Sequence, residues 1–249
     1  THLFSSAASD VYKRQLWGVP FFSPQIQERF QKFISHIDDI GADVYTLQET
    51  FHNKATEQEL IIPWRENGSH HARAHEPQFL NLKFIGSGLT TLSHLEILEE
   101  EFHPYKKGNS VDRFSRKGIL LTRIKLKCGN NIDLFNTHLQ ADYRFQKSKR
   151  ARNHQIKELL NWIEEKRDPN HNVILTGDFN FEEDTKDYNV LTKEFIDIKR
   201  SLHPDKESHP LHTHLHKTPK RSRRLDYIFL KTVSDWEFDF ENSTAKTLD

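Results

Sequence analysis

The sequence contains no methionine, a single cysteine and no long apolar run. The lone Cys128 cannot form a disulfide within the chain and no Cys-x-x-Cys pair is present, which excludes a disulfide framework and a cysteine-ligated zinc site. No stretch approaches the roughly 20 apolar residues that span a bilayer, so we expect a soluble domain. Motifs of the types GxGxxG and GxxxxGK[ST] are also missing, which disfavours a nucleotide-binding parallel sheet.

Net charge is balanced, since the 249 residues carry 36 basic and 36 acidic side chains. This balance argues against a protein that coats nucleic acid nonspecifically, although it allows a local basic patch. The length corresponds to one large domain. We expect residues 1–15, which lack any helical or strand periodicity, to be a non-native or disordered leader. Residues 16–249 are expected to form a single domain that is truncated at its C-terminus.

Hydrophobic periodicity places helices and strands in alternation along the chain. Ser23 and Pro24 begin an amphipathic helix that ends at Gly41, and a basic helix is predicted over residues 144–166. Strands are predicted over residues 43–47, 88–93, 96–102, 117–127, 132–137, 172–176 and 225–231. The segment Cys128–Asn131 has the chemistry of a hairpin turn. The pattern predicts an α/β fold with two packed mixed sheets flanked by helices.

Polar residues cluster just past the ends of apolar strands, where a rigid sheet edge can hold them at a common site. These clusters are Leu47–Glu49, Asn136–Gln140, Thr176–Asn180 and Arg224–Tyr227. Taken singly, each has a structural explanation, such as a surface acid, a glycine-assisted turn, or an Asp226 that pairs with Arg223 or Arg224. Together they offer two carboxylates, an imidazole and an Asp/Asn pair, which is the inventory that hydrolysis of a phosphate ester needs.

The order of the motifs QE, THLQ, GDFN and RLDYIF resembles the endonuclease/exonuclease/phosphatase superfamily. The resemblance implies a four-layer α/β sandwich of the DNase I type and a metal-dependent phosphodiesterase. Within that superfamily, three further segments resemble neutral sphingomyelinases, namely Trp17–Ser23, Asp112–Gly118 and Thr137–Tyr143. The similarity runs from about Leu16 to Lys231.

The resemblance implies a role for each residue of these motifs. Glu49 would bind the metal, which is Mg²⁺ in the first place, with Mn²⁺ or Co²⁺ as alternatives. Lys117, His138 and Asn180 would contact the substrate phosphate, where a compact ammonium offsets charge. Asp112 either fixes the loop that carries Lys117 or is a solvated loop acid.

Asp178 and Asn180 lie two residues apart, so both side chains can face one side of an extended segment. The resemblance has them orient the attacking water. Asp226 would orient a histidine base from a later Ser-Asp-His motif, yet no histidine follows Asp226 here, and Gln15 stands where the family has a metal-binding Asn. These two departures predict that the 249 residues are impaired as an enzyme, while the full-length parent is active.

The favoured function is a Mg²⁺-dependent phosphodiesterase that hydrolyses a phospholipid head group, with sphingomyelin cleaved to ceramide and phosphocholine. An endonuclease or a nucleotide or inositol phosphatase on the same fold is an alternative, and so is a catalytically inactive binding protein. We expect a monomer that acts on a membrane-surface substrate, with nucleic acid as the less favoured partner. A sphingomyelinase-like parent would be secreted or membrane-associated, and a cytoplasmic location stays open.

Two further features are better explained by solvation than by function. A histidine cluster could form a zinc site, but a solvated strand or loop is favoured; its members are His203, His209, His212, His214 and His216. The run Lys220–Arg224 is more often a solvated turn than a contact with an anionic membrane or a phosphate.

Overall fold

Two β-sheets pack against each other and carry helices on their outer faces. The computed structural model describes residues 30–35, 37, 41–51, 53–74, 86–109, 112, 115–142, 146–206, 211–214 and 222–233. Within these residues, one sheet has three strands and the other has six. The α/β sandwich that the motif order implies is therefore confirmed.

The smaller sheet is antiparallel. Its strands are β1 (Val44–Leu47), β2 (His70–Arg73) and β3 (Thr90–Ser93). They lie in the order β1-β3-β2, so β3 is central. Every residue of β1 and β3 is buried, because both faces of this part of the sheet are covered.

The larger sheet is mixed. Its strands are β4 (Ile97–Pro104), β5 (Gly118–Lys125), β6 (Asn131–His138), β7 (Asn172–Asp178), β8 (Ile196–Asp197) and β9 (Asp226–Lys231). They lie in the order β4-β5-β6-β7-β9-β8. Among the described strands, β6 and β7 form the one parallel pair, and the other neighbours run antiparallel.

Helices cover the outer face of each sheet. A helical segment at residues 30–35 precedes β1, and α1 (Asn53–Thr56) continues through a π-helical turn (Glu57–Ile61) into α2 (Ile62–Glu66). The long α3 (Gln146–Lys166) is the crossover that joins the parallel strands β6 and β7. Two short helices follow, α4 (Lys186–Leu191) and α5 (Ile198–Leu202). No helix in the described part of the chain is long and apolar enough to cross a membrane.

Side-chain alternation along the strands separates three apolar layers. One face of the larger sheet packs on α3 through residues such as Leu121, Phe135, Leu159 and Trp162. Its other face meets the smaller sheet through residues such as Val44, Ile124, Leu134 and Ile174. The outer face of the smaller sheet packs on its own helices through Tyr45, Leu47, Leu60 and Trp64.

Hydrogen bonds between side chains join the two sheets near one end of the sandwich. Asn136 is completely buried; its Nδ2 donates to the carbonyls of Leu47 (3.2 Å) and Thr90 (3.1 Å), and its Oδ1 accepts from Gln48 Nε2 at 2.8 Å. Two threonine pairs, Thr46–Thr176 and Thr91–Thr122, also bridge the sheets, each at 3.2 Å. We call these bridging groups the polar seam. They belong to Thr46, Leu47, Gln48, Thr90, Thr91, Thr122, Asn136 and Thr176, of which Leu47 and Thr90 take part through their carbonyls.

The predicted strands are confirmed to within two residues at each end, and the basic helix is observed over Gln146–Lys166. Ser23 and Pro24, the predicted start of the first helix, and the predicted leader at residues 1–15 lie outside the described residues. The sequence did not predict β2, β8 or the helices between Asn53 and Glu66, because these elements are short and have no clear period. In the histidine-rich segment, for which a solvated strand or loop was expected, the described residues include an isolated bridge between His214 and Arg223.

Replacing Asn136 with alanine is expected to lower the free energy of unfolding by about 3 kcal/mol, because two carbonyls and one amide would be left buried without their partner. Urea unfolding measures this change. Asn131→Ala on the same strand is the control, since Asn131 is only half-buried, and it should change stability by about 0.5 kcal/mol or less. Equal losses in both variants would contradict a specific role for the seam.

Candidate active site

Four strand ends meet at the edge of the sandwich that adjoins the polar seam. In the larger sheet, Asp178 pairs in register with His138 on one side and with Asp226 on the other. The hydrogen bond from Gln48 to Asn136 brings the end of β1, and with it Glu49, to the same edge. The structure thus gathers the four motifs at one end of the fold, since β9 runs antiparallel to β7 and begins where β7 ends.

Lys117 lies at the centre of the best-defined part of this edge. Its side chain is buried, and its Nζ contacts Asp112 Oδ2 at 3.1 Å, His138 Nε2 at 3.0 Å and the carbonyl of Leu139 at 2.8 Å. An ammonium group only donates hydrogen bonds, so this contact is a hydrogen bond to His138 when the Nε2 atom carries no proton. Asp178 Oδ2 lies 3.6 Å from the same Nε2.

Asp112 is the acceptor on which this arrangement depends. Besides Lys117, its Oδ2 accepts hydrogen bonds from the backbone N–H of Ala141 and from Gln140 Nε2, both at 2.8 Å. Burial by itself would raise the pKa of Asp112, but the positive charge of Lys117 and the Ala141 amide outweigh it, so the pKa lies below its ordinary value. Of the two interpretations of Asp112, the structure supports the one in which it fixes the loop of Lys117.

Two glutamines to which the sequence analysis gave no role stabilise the position of Asp112. Gln140 places its Nε2 on Asp112, while its Oε1 accepts from the backbone N–H of Asn109 at 2.7 Å. Gln155 of α3 is buried and accepts from the Gln140 backbone N–H at 2.7 Å, and its Nε2 donates to the carbonyl of Lys107 at 2.7 Å. Gln155 could have been identified from the sequence, because it is a polar residue on the inward face of the predicted basic helix.

Asn180 and Asp178 are held by the turn that ends β7. Asn180 adopts a left-handed backbone (φ 53°), its N–H donates to Asp178 Oδ1 at 3.0 Å, and its Nδ2 donates to the Leu139 carbonyl at 3.1 Å. Lys117 donates to the same carbonyl, so the ammonium and the amide are close neighbours. Gly177 allows the backbones of β6 and β7 to approach closely before this turn, because a Cβ there would lie 1.9 Å from the carbonyl oxygen of Thr137.

Glu49 follows β1 in a left-handed conformation with φ 62°, which is uncommon for a residue other than glycine. The adjacent Thr50 N–H donates to the Gly88 carbonyl at 3.0 Å. A Cβ on Gly88 would lie 3.0 Å from the Glu49 Cα and 2.7 Å from the Phe51 ring, so only glycine fits beside this turn. The half-buried Glu49 side chain is therefore held at the edge by a tightly packed backbone.

The donors at this edge fit a hard cation with many water ligands. Within the described ranges, no group of three or more His, Cys, Asp and Glu side chains could hold a metal ion. Mg²⁺ does not require such a group, because it keeps several waters and usually binds proteins through one or two carboxylates. Glu49, with an oxygen donor on a constrained turn, fits this mode of binding.

Asp226 is buried at the start of β9, across from Asp178. The hydroxyl of Thr213 accepts hydrogen bonds from the backbone N–H groups of Leu225 (3.0 Å) and Asp226 (3.1 Å) and so fixes this strand end. The preceding Arg224 contacts Asp197 at 2.7 and 2.9 Å and also contacts Glu183. This buried ion cluster accounts for the arginine that the sequence offered as a partner for Asp226.

A threonine within the histidine-rich segment has a structural role. Thr213, between His212 and His214, is buried and holds the start of β9, while His214 forms a backbone bridge with Arg223. His209 and His216 lie outside the described residues.

Comparison with known proteins agrees with this geometry. Residues 22–240 match the Endonuclease/Exonuclease/phosphatase family. A sphingomyelinase of Dictyostelium discoideum is 33% identical over 111 residues, which cover 41% of this chain and 24% of that protein. Sphingomyelinase C of Listeria ivanovii is 27% identical over 165 residues, covering 61% of this chain and 49% of that protein. The chain therefore spans about half or less of the length of these curated relatives.

Solved structures share the fold. The Staphylococcus aureus beta toxin variant with bound magnesium ions superposes with a TM-score of 0.71 at 20% identity, covering 96% of this chain and 86% of that one. A D. rerio TDP2 complex with a single-strand DNA product superposes with a TM-score of 0.67 at 14% identity, covering 94% and 86%.

The family match covers most of the sequence, and the solved structures share its fold. The chain belongs to the endonuclease/exonuclease/phosphatase family.

Proposed function

We propose that this chain is a metal-dependent phosphodiesterase that hydrolyses a phospholipid head group, with sphingomyelin cleaved to ceramide and phosphocholine. One observation carries the proposal: Lys117 and Asn180 both donate to the Leu139 carbonyl, and the Lys117 ammonium also contacts His138, whose ring lies beside the carboxylate of Asp178. Donors preorganised in a buried site stabilise the negative charge that develops on a phosphoryl group.

Each residue of the edge has a distinct part in this proposal. Lys117 and Asn180 present N–H donors to the phosphate oxygens, and Lys117 adds a full positive charge. His138 is a third polar contact to the phosphate, and it lies beside the carboxylate of Asp178. Asp178 and Asn180 orient the attacking water, and Asp226 serves to position a general base.

Glu49 would hold the cation, for which Mg²⁺ is favoured and Mn²⁺ or Co²⁺ are alternatives. Such an ion, when bound, would supply Lewis-acid stabilisation of a phosphoryl oxygen. Asp112 and Gln140 keep the Lys117 ammonium in place, which lets a phosphate meet a fixed positive charge rather than a mobile one.

The lipid-cleaving activities of the similar proteins support a lipid substrate. Besides the sphingomyelinases, a Schizosaccharomyces pombe inositol phosphosphingolipids phospholipase C is 24% identical over 208 residues, covering 78% of this chain and 46% of that protein. The TDP2 complex with single-strand DNA product supports the second candidate, a DNA phosphodiesterase on the same fold.

Phosphocholine release from sphingomyelin vesicles should be slow but detectable with Mg²⁺, because no histidine base follows Asp226 in the 249 residues, and it should be lost in EDTA. Abasic DNA should not be nicked. Both reactions are measured side by side with the same preparation. DNA cleavage without lipid hydrolysis would contradict the proposal and favour the second candidate. The absence of both reactions would favour a catalytically silent binding protein.

Glu49→Gln is expected to weaken Mn²⁺ binding by at least about tenfold, because it removes the carboxylate charge without changing side-chain length. Electron paramagnetic resonance of free Mn²⁺ measures this change without any need for turnover. Glu66→Gln, at an exposed position on α2, is the matched control and should bind Mn²⁺ as the unaltered protein does. Unchanged binding by Glu49→Gln would remove Glu49 from the site.

Asp112→Asn is expected to lower the free energy of unfolding at neutral pH by about 3 kcal/mol, since the buried Lys117 loses its ionised partner. The folded-state pKa of Asp112 is lowered, so its contribution is fully present above the unfolded value of about 4 and is lost as the pH falls through the folded value. Urea unfolding at several pH values measures the free energy of unfolding of Asp112→Asn and of the control variant Glu66→Gln. The difference between the two variants should become smaller as the pH falls. A difference that does not vary with pH would contradict an ionised Asp112.

A further inference from the structure

The first half of α3 carries an excess of positive charge. Residues 146–157 contain five basic side chains and no acidic one. Lys147, Arg150 and Lys157 are exposed and lie on one side of the helix, three and seven residues apart in turn. We call these three residues the basic stripe.

Three other basic residues of this helix region are neutralised, while Lys149 is exposed on a different side of the helix. Arg152 points inward and contacts Asp187 at 2.8 Å, Lys166 contacts Glu101 at 2.9 Å, and Arg167 contacts Glu164 at 2.9 Å. In the described ranges, no carboxylate makes an ion pair with a residue of the stripe. Because the whole chain has zero net charge, the stripe is a local segregation of charge and not a reflection of a basic protein.

The loop after β4 enlarges this surface. Lys106 and Lys107 are exposed there, and Lys107 Nζ lies 3.4 Å from Nε2 of His154, between Arg150 and Lys157 on the helix. Crowded like charges repel each other, and an anionic partner relieves that repulsion.

The basic surface borders the candidate active site. Gln155, on the same helix, donates to the carbonyl of Lys107 and accepts from the backbone N–H of Gln140. Gln140 in turn contacts Asp112, the partner of Lys117. Through Gln155, Lys107 of the basic surface is therefore linked to Gln140, beside the site where the substrate phosphate is proposed to bind.

We propose that the basic stripe, together with Lys106 and Lys107, docks the protein onto membrane surfaces that contain anionic lipids. The proposal rests on the proposed function, because an enzyme that cleaves a lipid head group must work at a lipid surface. Polybasic segments bind anionic leaflets through charge without needing aromatic side chains. Single-stranded nucleic acid, in contrast, is bound on stacking aromatics, and residues 146–157 contain no Phe, Tyr or Trp.

Vesicle co-sedimentation tests this docking directly. The protein should bind phosphatidylcholine vesicles that contain about 30% phosphatidylserine much more tightly than pure phosphatidylcholine vesicles. A triple variant with Lys147→Gln, Arg150→Gln and Lys157→Gln should lose roughly 100-fold in partitioning, from about fivefold per basic residue. Raising the salt concentration should weaken binding of the unaltered protein in the same direction.

The control is a triple variant with the same charge change at the far end of the sheets, made of Lys125→Gln, Lys127→Gln and Lys193→Gln. These lysines are exposed, and binding of this variant should stay within about threefold of the unaltered protein. Equal binding to neutral and anionic vesicles, or equal losses in the two triple variants, would overturn the proposal. Tighter, stripe-dependent binding to a single-stranded oligonucleotide than to the anionic vesicles would overturn it as well.

Hydrolysis of a short-chain sphingomyelin below its micelle concentration separates this proposal from the proposed function. The stripe variant should hydrolyse the monomeric substrate as the unaltered protein does, since the stripe does not touch the catalytic donors. Intact stripe-dependent docking without any hydrolysis would refute the proposed function and leave the docking surface standing. Hydrolysis without stripe-dependent docking would refute the docking surface and leave the proposed function standing.

Discussion

Lys117 holds an ammonium group inside the protein, where lost hydration must be replaced by acceptors held in good geometry. The structure supplies an ionised Asp112, the ring nitrogen of His138 and the Leu139 carbonyl. These acceptors come from separate segments of the chain, so each segment must be fixed relative to the others. Gln140 hydrogen-bonds to Asp112, and Gln155 in the middle of α3 accepts from the backbone of Gln140, so the position of Asp112 depends on the packing of this helix.

The polar seam meets a similar requirement between the two sheets. Apolar side chains could pack there in more than one register, but Asn136 reaches its three partners only when β1, β3 and β6 lie in one alignment. That alignment decides where the turn of Glu49 stands relative to His138. Buried hydrogen bonds in the interior thus determine the geometry of groups that are half-buried at the edge.

The sequence predicted the strands well because apolar runs bounded by turn residues are a local signal. It also predicted that the four polar clusters share one edge, and the structure describes them there. Other features depend on contacts between residues distant in the chain and had no local signal. The anchoring of β9 by Thr213 and the pairing of Arg224 with Asp197 are of this kind. The expectations for residues 1–15 and for Trp17 stay predictions, since these residues lie outside the described ranges.

The parallel pairing of β6 and β7 also constrains the order in which the protein assembles. The hairpin of β5 and β6 closes through a short turn and forms from local contacts, which brings Lys117 towards His138 early. Asp178 reaches His138 only after the whole crossover through α3 has closed, and such long-range closure is the slow step for mixed sheets. Lys117 and His138 are thus joined by a short hairpin, whereas Asp178 and the turn of Asn180 join them only through the long crossover.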